Sequence, residues 1–191
     1  MRRAGTILGV GVGLALASIL IPAWAAEEVD ESRPSKPAFA VEGGPPVAVE
    51  LITEHASIRP GGTTRVGVFF DLAEGWHIYA SDPGDAGLPT DALLSGPPGV
   101  EFGFLHWPLP EDFHEPGGIT THGYSGSVML FSTLTYAVSS DADQLPLTAQ
   151  VKWLACKEVC VPGEATRQLS LPVSHNEPVL STHAWLFDQV P

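Results

Sequence analysis

From Val47 onward the chain reads as short apolar and β-branched stretches separated by turns rich in Gly and Pro. Val47-Ala48-Val49-Glu50-Leu51-Ile52 is a first strand, Arg59-Pro60-Gly61-Gly62 a turn signal, and Thr63 to Leu72 a second strand. Trp76-His77-Ile78-Tyr79 is short and aromatic, which favours strand. Ser81 to Thr90 and Pro108 to Gly118 read as loops, and Val100 to Trp107 between them alternates around Phe102, Phe104 and His106. Ser127 to Val138 is a long strand, Leu147 to Ala155 alternates again, and Thr166 to Val173 closes the set. Seven or eight short strands with no sustained helical period predict an all-β, antiparallel β-sandwich. Val179 to Val190 reads as a short terminal helix, and no internal repeat is visible.

The N-terminal pattern is different. Arg2 and Arg3 precede an uncharged apolar run from Thr6 to Ile21, followed by Ala23-Trp24-Ala25. This is the pattern of a secretory signal cut after Ala25. The run is shorter than the ~20 residues that span hydrocarbon. The expected organisation is therefore a signal peptide over residues 1–25, a disordered leader over 26–46, a β-sandwich over 47–175 and a C-terminal tail over 176–191. No stable membrane insertion is expected after cleavage, and the destination is periplasmic, where disulfides persist.

Charge narrows the partners. The chain has 22 acidic and nine basic residues, a formal charge of −13. Two of the basic residues are Arg2 and Arg3, so the remainder carries seven basic against 22 acidic residues, or −15. Such a surface repels phosphate backbones, which excludes nucleic acid as a natural partner. With 20 Gly and 18 Pro, about a fifth of the chain opposes helix, in keeping with strands and turns.

The only two cysteines are Cys156 and Cys160, in Trp153-Leu154-Ala155-Cys156-Lys157-Glu158-Val159-Cys160-Val161-Pro162-Gly163-Glu164. A strand leads into Cys156, and Pro162-Gly163 reads as a turn after Cys160. Residues four apart on a strand are roughly 13 Å apart at ~3.3 Å per residue. If the cysteines bond, Lys157 to Val159 must therefore turn. The spacing leaves three readings open: an exchanging pair, a structural staple, or half of a metal site. A five-residue ring contributes about 2 kcal/mol or less as a staple. A metal site would need further ligands from His77, His106, His114 or His122, none of which shows paired metal spacing. Lys157 would favour a Cys156 thiolate and Glu158 would oppose it.

Three segments together resemble the periplasmic N-terminal domain of the thiol–disulfide interchange protein DsbD. They are Gly75 to Tyr79 with Asp82 to Thr90, Trp107 to Tyr124, and Trp153 to Glu164. The resemblance implies an immunoglobulin-like antiparallel β-sandwich in which Cys156 and Cys160 form the exchanging pair. Cys160 would make the intermolecular bond and Cys156 would resolve it. It also implies a mobile cap loop with an aromatic residue after two acids, matched by Glu111-Asp112-Phe113, and an aromatic strand that makes Tyr79 a neighbour of the pair. Neither a cofactor nor a metal is implied. The implied activity is that of a protein-disulfide reductase or electron-transfer component. Its partners would be thioredoxin-like proteins or a DsbD-like membrane reductase as donors. Periplasmic disulfide acceptors, including isomerases and cytochrome c maturation proteins, would receive the electrons. Two departures stand out: three residues separate the cysteines where the best-known members have five, and the chain ends at Pro191 without a membrane conduit or a second Cys pair. The reductant is thus expected to be a separate protein.

Glu111, Asp112, His114 and Glu158 are candidate proton acceptors. Trp76, Trp107 and Trp153 are expected core residues. Asp82, Asp85 and Asp91 are read as turn formers rather than a calcium site, because their spacing does not fit an EF-hand. The competing function is a copper-binding or partner-docking β-sandwich with an inert disulfide.

Overall fold

A computed structural model describes residues 46–137 and 142–189; the expected signal peptide and leader, up to residue 45, lie outside the described residues. The chain forms β1 (Val47–Thr53), β2 (Thr63–Leu72), β3 (His77–Gly84), β4 (Asp91–Ser95), β5 (Val100–Phe102), β6 (Glu111–Glu115), β7 (Ile119–Ser125), β8 (Ser127–Tyr136), β9 (Gln144–Cys156), β10 (Cys160–Pro172) and α1 (Ala184–Phe187). They make two antiparallel sheets, ordered β1-β2-β8-β5 and β10-β9-β3-β7-β6, with β4 pairing β9 beside β3. This is the antiparallel β-sandwich the pattern predicts, in the immunoglobulin-like form the resemblance implies.

The core between the sheets is made by alternate residues of both, including Val66, Val68, Phe70, Leu134 and Tyr136 of one sheet and Ile78, Leu147, Ala149 and Val151 of the other. β2 does not alternate cleanly because both of its faces are covered. Phe69, with Ile52, Met129 and Phe131, packs outward against Leu186 and Phe187 of the C-terminal segment. Arg65 fastens that segment. Its guanidinium lies over Phe131 and Phe187, donates to the Phe187 carbonyl at 2.8 Å and pairs with Glu54 at 2.7 Å. Trp76, Trp107 and Trp153 are half-buried against the core between the sheets.

Three expectations are corrected. The segment 81–90 is strand as far as Gly84, with a register shift between Tyr79 and Gly84. The segment 108–118 is not all loop, because Glu111–Glu115 pairs with β7 as an outermost strand. Pro162-Gly163 is not a turn: β10 begins at Cys160 and runs through both residues. Proline is tolerated there because β10 ends its sheet, where a missing N–H breaks no ladder bond. The turn lies instead between the cysteines.

Candidate redox site

Strand pairing assembles the site. Cys156 ends β9 and Cys160 opens β10; they are direct partners, 4.1 Å apart at Cα and joined as a disulfide. Lys157 to Val159 make the turn, closed by the Lys157 N–H donating to the Val159 carbonyl at 3.1 Å. The two sulfurs differ in access. Cys156 is 4% exposed, whereas Cys160, Val159 and Val161 are exposed at the hairpin tip.

On the other side of β9, His77 is the direct partner of Cys156 and Ile78 of Ala155. Ile78, Ala80 and Ala155 belong to the core. His77, Tyr79 and Cys156 therefore share the outer face of the sheet, since successive strand residues point to opposite faces. The Tyr79 hydroxyl donates to Cys156 Sγ at 3.4 Å. The next strands extend this face: Tyr79 pairs with Gly123, which pairs with Glu111. Gly123 must lack a side chain, because a Cβ would lie 2.3 Å from the Ile78 carbonyl oxygen. Glu111, Phe113 and Glu115 thus lie on the side of the disulfide. The Phe113 ring stacks on His77 at 4.5 Å and 19°, and the Tyr79 ring meets His77 edge-on at 5.4 Å. Gly87, at φ +98°, lets the loop after β3 lie on Tyr79; a Cβ there would be 2.4 Å from the ring.

The acids of the expected cap separate. Glu111 accepts from the Ser125 hydroxyl at 3.0 Å. Asp112 alternates to the opposite face, paired with His122 at 3.7 Å. His114 is bonded to Thr120 at 3.3 Å, and Glu158 is exposed at the hairpin tip. The Lys157 ammonium donates to the Glu74 carbonyl at 3.1 Å. Asp82 accepts from the Gly84 backbone N–H two residues on, as a turn former does, whereas Asp85 accepts from the distant Thr120 N–H and Asp91 opens β4 instead of a turn. Among the described residues, no group of three or more His, Cys, Asp or Glu side chains is disposed to hold a metal ion.

Sequence reasoning passed over His77 except as a metal ligand. Burial holds its pKa below the ordinary 6.5, partly opposed by the charge of Glu115. Tyr79 is pushed above its ordinary 10.0 by burial, with Glu115 adding to the shift. The His77 shift predicts an acid-sensitive fold. The native state holds fewer protons on His77 than the unfolded chain does, so that contribution is intact above pH 6.5 and is lost as pH falls through the lower native value. The carboxyl of Glu54, lowered chiefly by its hydrogen bond from Arg65, adds a second loss below pH 4.5. Urea unfolding midpoints should fall between pH 7 and 5 in the native protein and stay nearly level there in a His77→Phe variant.

The family model for the N-terminal domain of the thiol:disulfide interchange protein DsbD matches residues 48–172. No curated protein matches the sequence significantly. Among solved structures, the N-terminal periplasmic domain of ScsB from Proteus mirabilis is 24% identical, with a TM-score of 0.52. That alignment covers 80% of this chain and 57% of the ScsB chain. The likeness is one of fold, and the chain spans just over half the length of that relative. The reduced DsbD N-terminal domain from Neisseria meningitidis is 16% identical, with 68% and 89% of the two chains covered and a TM-score of 0.39. The same domain in complex with the PilB N-terminal domain aligns at 16% identity over 68% and 88% of the chains, with a TM-score of 0.41.

Proposed function

The chain belongs to the family of the DsbD N-terminal domain, and from that premise we propose that it performs thiol–disulfide exchange through Cys156 and Cys160. The observation that carries the reading is the asymmetry of the pair inside the matched region: one sulfur is exposed at a hairpin tip and the other is buried beneath Tyr79. In the reduced protein the Cys160 thiolate attacks a partner disulfide, forming a mixed disulfide and releasing one partner thiolate. Cys156 then attacks the Cys160 sulfur, the second partner thiolate leaves, and the Cys156–Cys160 bond closes. Two electrons pass to the acceptor. The reverse sequence recharges the pair from a thioredoxin-like protein or a DsbD-like membrane reductase. The acceptors are disulfide-bonded proteins of the periplasm, which the chain reaches behind a signal cut after Ala25. Among the described residues no helix is long and apolar enough to cross a membrane.

Phe113 serves as the cap, acting through the His77 ring it covers and not by stacking on a loop. Exposed Val159, Val161 and Leu88 give an apolar rim on which a partner can dock. The testing experiment is redox equilibration of the protein against glutathione or dithiothreitol buffers, with thiol trapping and mass spectrometry. The pair should titrate near about −200 mV, within reach of exchange partners. A pair that stays oxidised below about −300 mV would be a structural disulfide and would refute the reading.

A further inference from the structure

We propose that His77 is the base that receives the Cys156 proton when the reduced pair closes, an inference that rests on the exchange reading above and supplies its missing proton acceptor. Cys156 is 4% exposed, so bulk water is a poor acceptor for its thiol. A thiol loses its proton near pH 8.5 in water, and burial in apolar surroundings makes it harder to ionise. An internal base is required, and few groups face the sulfur.

Each neighbouring strand offers candidates. From β3, Tyr79 donates its hydroxyl proton to Cys156 and, held above its ordinary range, stays protonated near neutrality. From β6, Glu111 is engaged by Ser125, while Glu115 lies on the same face close enough to favour positive charge on His77. β7 presents Thr121, Gly123 and Ser125 to this side, none of which titrates. Asp112 and His122 pair with each other on the far face, and the Lys157 ammonium is bound to the Glu74 carbonyl.

That leaves His77. It is the direct cross-strand partner of Cys156, and such partners have Cβ atoms about 4.5–5.5 Å apart on the same face. It is 8% exposed, and its Nε2 is buried with no hydrogen-bond partner among the described residues. A buried, unpartnered ring nitrogen is costly to the fold. Phe113 covers the ring and keeps water from it. Burial favours the neutral imidazole, the form able to accept a proton, and Glu115 compensates the charge once the proton arrives.

The step balances within the mixed disulfide. The Cys156 S–H proton moves to the neutral imidazole as the sulfur's electron pair forms the bond to the Cys160 sulfur. The bond from Cys160 to the partner sulfur breaks, and the partner leaves as a thiolate with that bonding pair. The imidazolium returns its proton to the departing thiolate or to water. When the pair is recharged, the imidazolium protonates Cys156 in the opposite direction.

The test is single-turnover reaction of the reduced protein with oxidised glutathione, acid-quenched and read by mass spectrometry between pH 5.5 and 9. Native protein is compared with His77→Gln and His77→Phe, the latter keeping an aromatic ring under Phe113. In both variants the glutathione adduct should accumulate and close about a hundredfold more slowly at pH 7. The pH limb for closure should move up towards the thiol range near about 8.5. Closure in His77→Phe at the native rate and pH profile would reduce His77 to a platform for the cap and overturn the inference while leaving exchange intact. If glutathione disulfide neither formed an adduct with native protein nor oxidised its Cys156–Cys160 pair, the exchange reading and the inference would fall together.

Discussion

A Cys156→Ser protein is expected to capture an oxidised partner as a lasting mixed disulfide, whereas Cys160→Ser should capture almost none. The prediction follows from access, since each variant retains one thiol. In Cys156→Ser the survivor is the exposed Cys160 at the hairpin tip. With no second sulfur to resolve the adduct, the covalent complex accumulates. In Cys160→Ser the survivor is Cys156, 4% exposed and hydrogen-bonded by Tyr79. A sulfur so covered offers a partner disulfide little access. Both variants should stay folded, because a five-residue ring contributes about 2 kcal/mol or less through loop closure. Non-reducing electrophoresis after mixing with an oxidised thioredoxin-like protein, or with an aromatic disulfide reagent, reads the result. Equal capture by both variants would mean that the burial difference does not order the reaction, and preferential capture by Cys160→Ser would reverse the roles. Neither variant should complete a turnover, so transfer of electrons to a disulfide acceptor should fall to the uncatalysed background in both.

The strands that build the core were legible because their residues carry the signal locally. Thr63 to Leu72 and Ser127 to Tyr136 are β-branched and apolar over ten residues each. Glu111-Asp112-Phe113-His114-Glu115 carries one apolar side chain in five, so nothing local marks it as strand; its ladder to β7 does. Once that strand is known, a period of two parts the neighbouring acids, Glu111 towards the disulfide and Asp112 away from it. Treating the segment as a loop concealed this. Pro162-Gly163 misled for the opposite reason: its turn chemistry is real but is overridden at the sheet's end by pairing with Leu154 and Trp153.

The cysteine pair was visible because four residues of spacing admit a turn and little else once the sulfurs join. His77 was visible only in part. Its alternation with Tyr79 in Trp76-His77-Ile78-Tyr79 puts both on one face, but its place opposite Cys156 depends on a ladder between residues 79 positions apart in sequence. Local pattern cannot supply contacts of that range. The site is accordingly a product of sheet order: β9 must pair with β3 on one side and β10 on the other before His77, Tyr79 and the two cysteines share a face.

The same sheet order makes Phe70→Ala the most destabilising single change expected in the core. Phe70 is fully buried and meets Trp153 edge-to-face at 6.0 Å across the sandwich. Trp153 in turn lies over Gly163, where a Cβ would be 2.4 Å from the indole, so core packing continues from β2 into the base of the cysteine hairpin. Truncation removes a buried ring and leaves a cavity that the two sheets, each held by its own ladder, can close only in part. The cost is about 3–5 kcal/mol, with the lost ring pair contributing about 0.5–1.5 kcal/mol of it. Against a typical total of roughly 5–15 kcal/mol the protein should remain folded at 25 °C but melt roughly 6–20 °C lower. Calorimetry with the disulfide intact measures this, and a drop of less than about 3 °C would show that the sheets repack freely around residue 70. Because Trp153 lies on β9 three residues before Cys156, hydrogen exchange at the hairpin amides should quicken along with the global loss. Hairpin protection that stayed at the native level while the melting point fell would mean the core and the cysteine hairpin are energetically separate.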